Sequence, residues 1–515
     1  VLAHPPAPEP QLGLPGFHYA DLHDAGRLAD LTRAFDASLQ AADAALHARY
    51  QAHRSGAERL RGPQESELLL ELGAYLSRFV GRLFGVEKEQ QRLREAAGRD
   101  APIFRVKRDF VQRRVFKRGA KDRPHAADFA ALDAQVRPLL AAAARRDPRA
   151  SLARDDSELL FALVVDTLLD AERALSIRFD PVKPGELELQ PFFAFRDLTA
   201  ALRRGLAEQG LPGEEFAGEG EARAEDLAAA RKLLDLFDRW LYAFSLQPHR
   251  PGWVLLRLPH MLDYLQLVPL KRPREGRPEL LAGHEEHQRR RDGFRLTDPR
   301  MGPREVRSEI DYCVFCHVRE KDSCARGFKE RDSPHYRRNP LGIPLTGCPL
   351  EERISEMHTA AREGDALSAL ALVCIDNPML PGTGHRICND CMKACIYQKQ
   401  DPVNIPQIET RVLDDVLHLR WGYEIWSLLT RWNPLCMARQ HPRPYTGVNV
   451  LVVGMGPAGY TLAHHLLNEG FGVVAVDGLK IEPLPEELTG KVPRPIEKYD
   501  EAFGKPLDLR VTSGF

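Results

Sequence analysis

Cysteine carries most of the chemistry this sequence can do. Eight of the nine cysteines fall between Cys313 and Glu409, and seven of them have ligand-like spacing. Cys313 and Cys316 form one C-x-x-C pair, with Cys324 following; Cys348 stands alone before Pro349; Cys388 and Cys391 form a second pair, with Cys395 after it. Short loops let two thiolates converge on one centre while distant cysteines complete the shell. Seven thiols are one short of two four-ligand sites, and Glu409, which closes the stretch Pro402 to Glu409, can supply an eighth, oxygen ligand. Structural zinc satisfies the two C-x-x-C pairs equally well by spacing. Cys313 to His317 also reads C-x-x-C-H, the c-type haem attachment pattern, but that chemistry needs export, and no basic-then-apolar signal opens the chain. Nine thiols in 515 residues are too sparse for a disulfide framework. A redox centre accounts for the pattern best.

A second chemical signature follows. Val448 to Val453 is an aliphatic, β-branched run suited to a buried parallel strand. It ends in Gly454-Met455-Gly456-Pro457-Ala458-Gly459, before a helix expected over 460–468 and a second strand over 472–476 ending at Asp477. This is G-x-G-x-x-G in the setting it requires. Gly454 allows the tight turn, Gly456 lets backbone amides approach a pyrophosphate, and Gly459 permits close packing of helix on strand. The phosphates would rest at the positive end of the helix, and Asp477 is placed for a ribose hydroxyl.

The cysteine region resembles the N-terminal iron-sulfur domain of the glutamate synthase small subunit and of dihydropyrimidine dehydrogenase. The residues that carry the resemblance are Cys348 and Pro349, then Asn377, Pro378, Pro381, Gly384, Arg386 and Cys388, then the Pro402 to Glu409 turn. The resemblance implies two four-iron, four-sulfur (4Fe-4S) clusters with interleaved ligands: Cys313, Cys316, Cys324 and Cys395 for one, and Cys348, Cys388, Cys391 and Glu409 for the other. It departs from the family in spacing. The gaps from Cys316 to Cys324 and from Cys324 to Cys348 are longer than usual, and that from Cys388 to Cys391 is shorter. The glycine motif directly behind resembles the flavin-binding half of the same family, so FAD is expected at Gly454, Gly456, Pro457, Ala458, Gly459 and Asp477. The family continues for several hundred residues, including an NAD(P)H domain. The 69 residues from Gly447 to Phe515 hold only the opening of such a fold, so a fragment, or a remainder on another polypeptide, is expected. Val1 in place of methionine points to a trimmed or misassigned N-terminus.

The elements that must hold these residues are mainly helical. Residues 1–16 are proline-rich and expected to be a disordered lead-in; 17–270 form an all-α region without recognisable chemistry; 271–308 form a charged linker; 309–440 form the α-helical iron-sulfur domain; 447–515 begin a Rossmann-like FAD-binding domain. Leu68, Leu69, Leu72, Leu76, Phe79, Val80 and Leu83 paint one apolar helix face. Further helices are expected near 126–146, 156–176, 194–209, 223–246 and 254–266, and over 351–363 and 366–374 within the cysteine region. Residues 105–123 interleave Arg105, Lys107, Arg108, Arg113, Arg114 and Lys117 with Phe104, Phe110 and Phe116. That pattern suits a solvated or docking helix face better than a phosphate site.

With a net charge of -1, nothing global favours nucleic acid, which is not expected as a partner. No apolar run reaches the roughly 18 residues of a membrane span, so a soluble, cytoplasmic protein is expected. The residues together suggest an NAD(P)H-dependent oxidoreductase module that passes electrons through FAD and two clusters to an electron-accepting protein or subunit. As a fragment it is not expected to be active alone, and no side chain stands out as a catalytic acid, base or nucleophile. The alternative is a helical interaction scaffold with structural zinc or cluster sites and no redox activity.

Overall fold

A computed structural model describes residues 9–117, 124–180, 182, 185–214, 216, 220–248, 251–268, 270–283, 299–384 and 387–477. Arg386 and the chain after Asp477 lie outside them. The fold is mainly α, with two small sheets among the described residues. The chain divides into two compact units, 1–96 with 261–515, and 97–260, the division falling within helix Glu87–Val106.

The first unit joins the opening helices to the cysteine region. Helix Ala25–Ala42 is capped by Asp24, whose carboxylate accepts from the Arg27 amide, and helix Ala44–Ser55 by Asp43 in the same way. Helix Pro63–Phe84 buries the leucine face expected from its sequence. It packs on helices Ile354–Arg362 and Ala366–Asp376. Gly73 permits that contact, because a Cβ there would meet Ser368 Oγ at 2.5 Å. Phe35 and Phe79 surround Trp432, which is fully buried and donates its indole N–H to Thr32 Oγ1 at 3.0 Å. Burying side chains of this size stabilises by about 2–3 kcal/mol each. Two buried serines lock the same interface: Ser66 donates to Glu356, and Ser77 donates to Asp365, which also caps helix Ala366–Asp376. The end of the proline-rich lead-in is held rather than loose, with the Gly13 amide donating to Leu83 O at 2.8 Å.

Helix Pro303–Tyr312 closes the charged connector and packs against helix Ile405–Leu417. After helix Gly422–Arg431 come strand Asn449–Val453, helix Pro457–Asn468 and strand Gly472–Val476. The strands pair in parallel, Asn449 opposite Gly472 through Val453 opposite Val476. This is one βαβ unit. The first strand is less buried than its aliphatic sequence suggested. Val452 is covered, but Leu451 and Val453 are 61% and 77% exposed, because among the described residues a single helix supplies the crossover.

The second unit packs helices Phe129–Arg146, Ser157–Phe179, Leu189–Ala207 and Ala224–Ser245 around Phe161, Trp240, Phe244 and Trp253. The basic stretch is wound as a π-helix over Lys107–Val115, with Phe110 buried. Its charges are largely paired within the unit: Arg105 meets Asp166 and Asp170, and Arg114 meets Glu172. The helix expected over 254–266 does not form. A 3-10 turn over Val254–Leu256 is all that appears, since Pro251 and Pro259 bracket a stretch too short to propagate.

Candidate functional site

All nine cysteines are free thiols. Four of those singled out by spacing line one small cavity: Cys313, Cys316, Cys324 and Cys395, with Ile354, Val403 and Ile405 among its apolar walls. They arrive on separate pieces of chain. Cys313 caps helix Pro303–Tyr312 and Cys316 opens the 3-10 turn Cys316–Arg319. Between them Phe315 adopts a left-handed backbone (φ 51°), uncommon for a bulky residue, which turns its amide toward Cys313 Sγ at 3.4 Å. Cys324 lies in the short helix Ser323–Arg326. Cys395 is brought alongside Cys313 by a stacked pair of tyrosines, Tyr312 and Tyr397, with ring centroids 4.2 Å apart. The Tyr397 hydroxyl donates to Tyr312 O at 3.1 Å.

Burial pushes the Cys313 thiol up to about 12, and the neighbouring Cys316 and Cys395 add to the rise. Burial likewise drives Cys324 well up, with Asp322 and Cys313 contributing. Amide N–H groups pull the other way: Phe315 donates to Cys313 Sγ at 3.4 Å, and the amides of Tyr397, Val403 and Ile396 favour the Cys395 thiolate. Such donors favour thiolate over thiol and are the kind of contact that tunes sulfur-ligated iron.

The second group is gathered differently. Burial raises Cys391 well above an ordinary thiol, with Glu409, Cys348, Glu352 and Cys388 adding to it in that order. Burial pushes Cys348 up to about 11, Glu352 raises it further, and amides of Glu352 and Leu350 oppose that. Glu409 is buried in helix Ile405–Leu417 and hydrogen-bonded to Glu352. Burial first, then the charge of Glu352, drives Glu409 well up. Asn377 also bonds Glu352. Cys388 is exposed.

The long gap between Cys324 and Cys348 is a surface excursion with pinned ends. Cys348 N–H donates to Cys324 O at 2.8 Å, and Phe328 N–H to Leu345 O at 2.9 Å. Gly327 and Gly347, both at positive φ, permit the approach: a Cβ on Gly347 would lie 2.4 Å from Gly327 N. One backbone bond therefore ties a member of the first group to a member of the second. Cys374 belongs to neither, being buried in helix Ala366–Asp376.

Among the described residues, no group of three or more His, Cys, Asp or Glu side chains is gathered tightly enough to hold a single metal ion. As donor sets, the two groups suit sulfur-ligated iron, which spreads its ligands around a cluster and takes thiolates supported by N–H donors. Two features were missed in the sequence. Glu352, four residues after Cys348, had only that short spacing to signal it. His358, one helical turn after Ile354, was not singled out; it is 1% exposed, and burial holds it down to about 3, so the ring is neutral.

In the βαβ unit, Gly454 has φ 95°, and both Gly454 and Gly456 have open space around them, which leaves backbone free for a ligand to approach. A Cβ on Gly459 would collide with Gly454 O at 1.7 Å, so the helix packs closely on the loop. Pro457 and Ala458 begin helix Pro457–Asn468, whose N-terminus can receive phosphate. Asp477 stands at the end of the second strand and accepts from the Met455 amide.

Residues 12–85 match the model of the RP005 N-terminal alpha-helical domain. The chain is 50% identical over 137 residues to uncharacterized protein RP006 of Rickettsia prowazekii (strain Madrid E), covering 27% of this chain and 19% of that protein. It is 32% identical over 139 residues to the glutamate synthase [NADPH] small chain of Mycobacterium tuberculosis (strain ATCC 25618 / H37Rv), covering 26% of this chain and 25% of that one. Uncharacterized protein RP005 of Rickettsia prowazekii (strain Madrid E) is 42% identical over 62 residues, 10% of this chain and 20% of the relative. The chain thus spans a quarter or less of the length of these curated relatives. No solved structure matches. The likeness to the small chain is distant, and it suggests a relationship to oxidoreductases.

Proposed function

We propose that this chain is an electron-transfer module of an NAD(P)H-dependent oxidoreductase. Cys313, Cys316, Cys324 and Cys395 would hold one 4Fe-4S cluster, and Cys348, Cys388, Cys391 and Glu409 the other. When bound, such clusters take up and release single electrons. The side chains named here orient the sulfurs, exclude water and set the local charge. The observation that carries this reading is the meeting of four thiols from three separate stretches at one cavity, with the Phe315 amide donating to Cys313 Sγ at 3.4 Å. The glycine loop, Gly454 to Gly459, would cradle the pyrophosphate of FAD, with Asp477 toward its ribose. The relationship to a glutamate synthase [NADPH] small chain supports NADPH as the electron source and a protein or subunit as acceptor.

Anaerobic purification followed by metal and sulfide analysis tests this. About eight irons and eight sulfides per chain, with brown colour that bleaches on adding dithionite, are expected. Zinc in place of iron, or colourless protein after reconstitution with iron and sulfide, overturns it.

A further inference from the structure

Around the first group of thiols, three buried polar side chains have no hydrogen-bond partner. These are Ser323 Oγ, His317 Nδ1, and His358 at both ring nitrogens. Ser323 and His358 line the cavity directly, alongside Cys313, Cys316, Cys324 and Cys395. A neutral imidazole carries one N–H and a serine one O–H, and leaving either unpaired in an apolar interior costs about 1–3 kcal/mol. The same wall carries the apolar side chains of Val314, Ile354, Ile396, Val403 and Ile405, with Ser355, whose hydroxyl donates to Asp322 at 3.3 Å, and Tyr397, whose hydroxyl donates to Tyr312 O at 3.1 Å. Neither side chain bonds a cysteine sulfur in this structure, but both share their cavity with four of them.

We infer that His358 and Ser323 donate hydrogen bonds to the sulfur atoms assembled at Cys313, Cys316, Cys324 and Cys395, and so set the reduction potential of that centre above that of its neighbour. The inference rests on the cluster reading given above. Donors stabilise the more negative, reduced state, and they act strongly where water is excluded. The Phe315 amide already donates to a sulfur of this group, at 3.4 Å from Cys313 Sγ. In the other group the buried carboxyls of Glu352 and Glu409 bring acidic oxygen against the thiols. Asp322 and Glu309 oppose the trend on the first side. Each is already engaged, Asp322 by the Ser355 hydroxyl at 3.3 Å and Glu309 by the Asn404 amide at 2.9 Å. His358 and Ser323 are positioning residues. With both clusters bound, one electron would pass from the Glu409 side to the Cys324 side, with no proton or ligand transferred.

The test uses the full chain, isolated anaerobically with its iron, and poised with dithionite under redox mediators. The centre is assigned by its loss in Cys324→Ser. His358→Leu should lower its reduced-to-oxidised ratio at fixed poise about tenfold, which is about 59 mV for one electron. It should leave the other centre unmoved. His358→Gln, which keeps a donor, should recover most of the loss, and Ser323→Ala should give a smaller fall of the same sign. Labelling histidine with nitrogen-15 should add a nitrogen coupling to the pulsed EPR spectrum of the reduced centre. Full iron content with unchanged ratios in both His358→Leu and Ser323→Ala overturns the inference and leaves the cluster reading standing. Protein without iron and sulfide overturns both. If His358→Leu does not fold, Ser323→Ala and the labelled protein decide: no shift and no coupling would end it.

Discussion

The two groups of thiols are built on different plans. Cys313, Cys316, Cys324 and Cys395 close around a cavity with apolar walls, amide donors and two neutral, unpaired polar side chains. Cys348 and Cys391 stand beside the buried carboxyls of Glu352 and Glu409, with Cys388 exposed at the edge. The first group is prearranged and the second is acidic and open on one side. The lesson is that similar cysteine spacing can deliver two electrostatic environments in one fold, because the residues between the thiols decide what surrounds them.

The sharpest way to break this contrast is to remove Cys395, the thiol with most amide support. Cys395→Ser should drop iron from about eight to about four per chain or fewer, as measured by metal analysis. If iron stays full, the first group is not a ligand set. Glu409→Ala should also cut iron, toward half, but should leave the EPR signal of the first centre in place; loss of neither centre removes Glu409 from the ligands.

The acidity of the second side is open to a pH test. Burial, aided by Glu352 and Glu356 and opposed by Arg353, raises Asp376 to about 7. Because the folded state holds this proton more tightly than the unfolded chain, its stabilising contribution is full below about pH 4 and lost as pH rises toward 7. Asp376→Asn should therefore stabilise the metal-free protein at pH 8 relative to pH 4, by up to about 4 kcal/mol. Urea melts at both pH values check this, and equal effects would contradict it. The smallest effect is expected behind the first group. Ser66→Ala leaves the buried Glu356 carboxyl without its donor, at a cost of about 1–3 kcal/mol, visible as a lowered melting temperature.

Much of this was legible in the sequence, and the limits are physical. The C-x-x-C pairs and the glycine loop can be read because short-range geometry fixes their spacing, and the leucine face of Pro63–Phe84 because helical periodicity marks a buried side. Periodicity does not say what covers that side. Nothing near Leu72 or Phe79 announces Trp432 or Ser368 as neighbours. The expected helix over 254–266 failed because apolar spacing outweighed two prolines in the reading. His358 escaped notice for a related reason: a histidine on an apolar face looks like core until its unpaired nitrogens are seen facing thiols.

The contact between Thr32 and Trp432 joins residues 400 positions apart, and that between Tyr50 and Pro434 spans 384. During synthesis at about 5–20 residues per second, the opening helices must wait roughly 20–80 s for that aromatic wall to leave the ribosome. Meanwhile residues 97–260 emerge whole and can form their own core. Chains stalled before Trp432 should therefore leave residues 12–85 open to protease, and chains stalled after Pro442 should protect them.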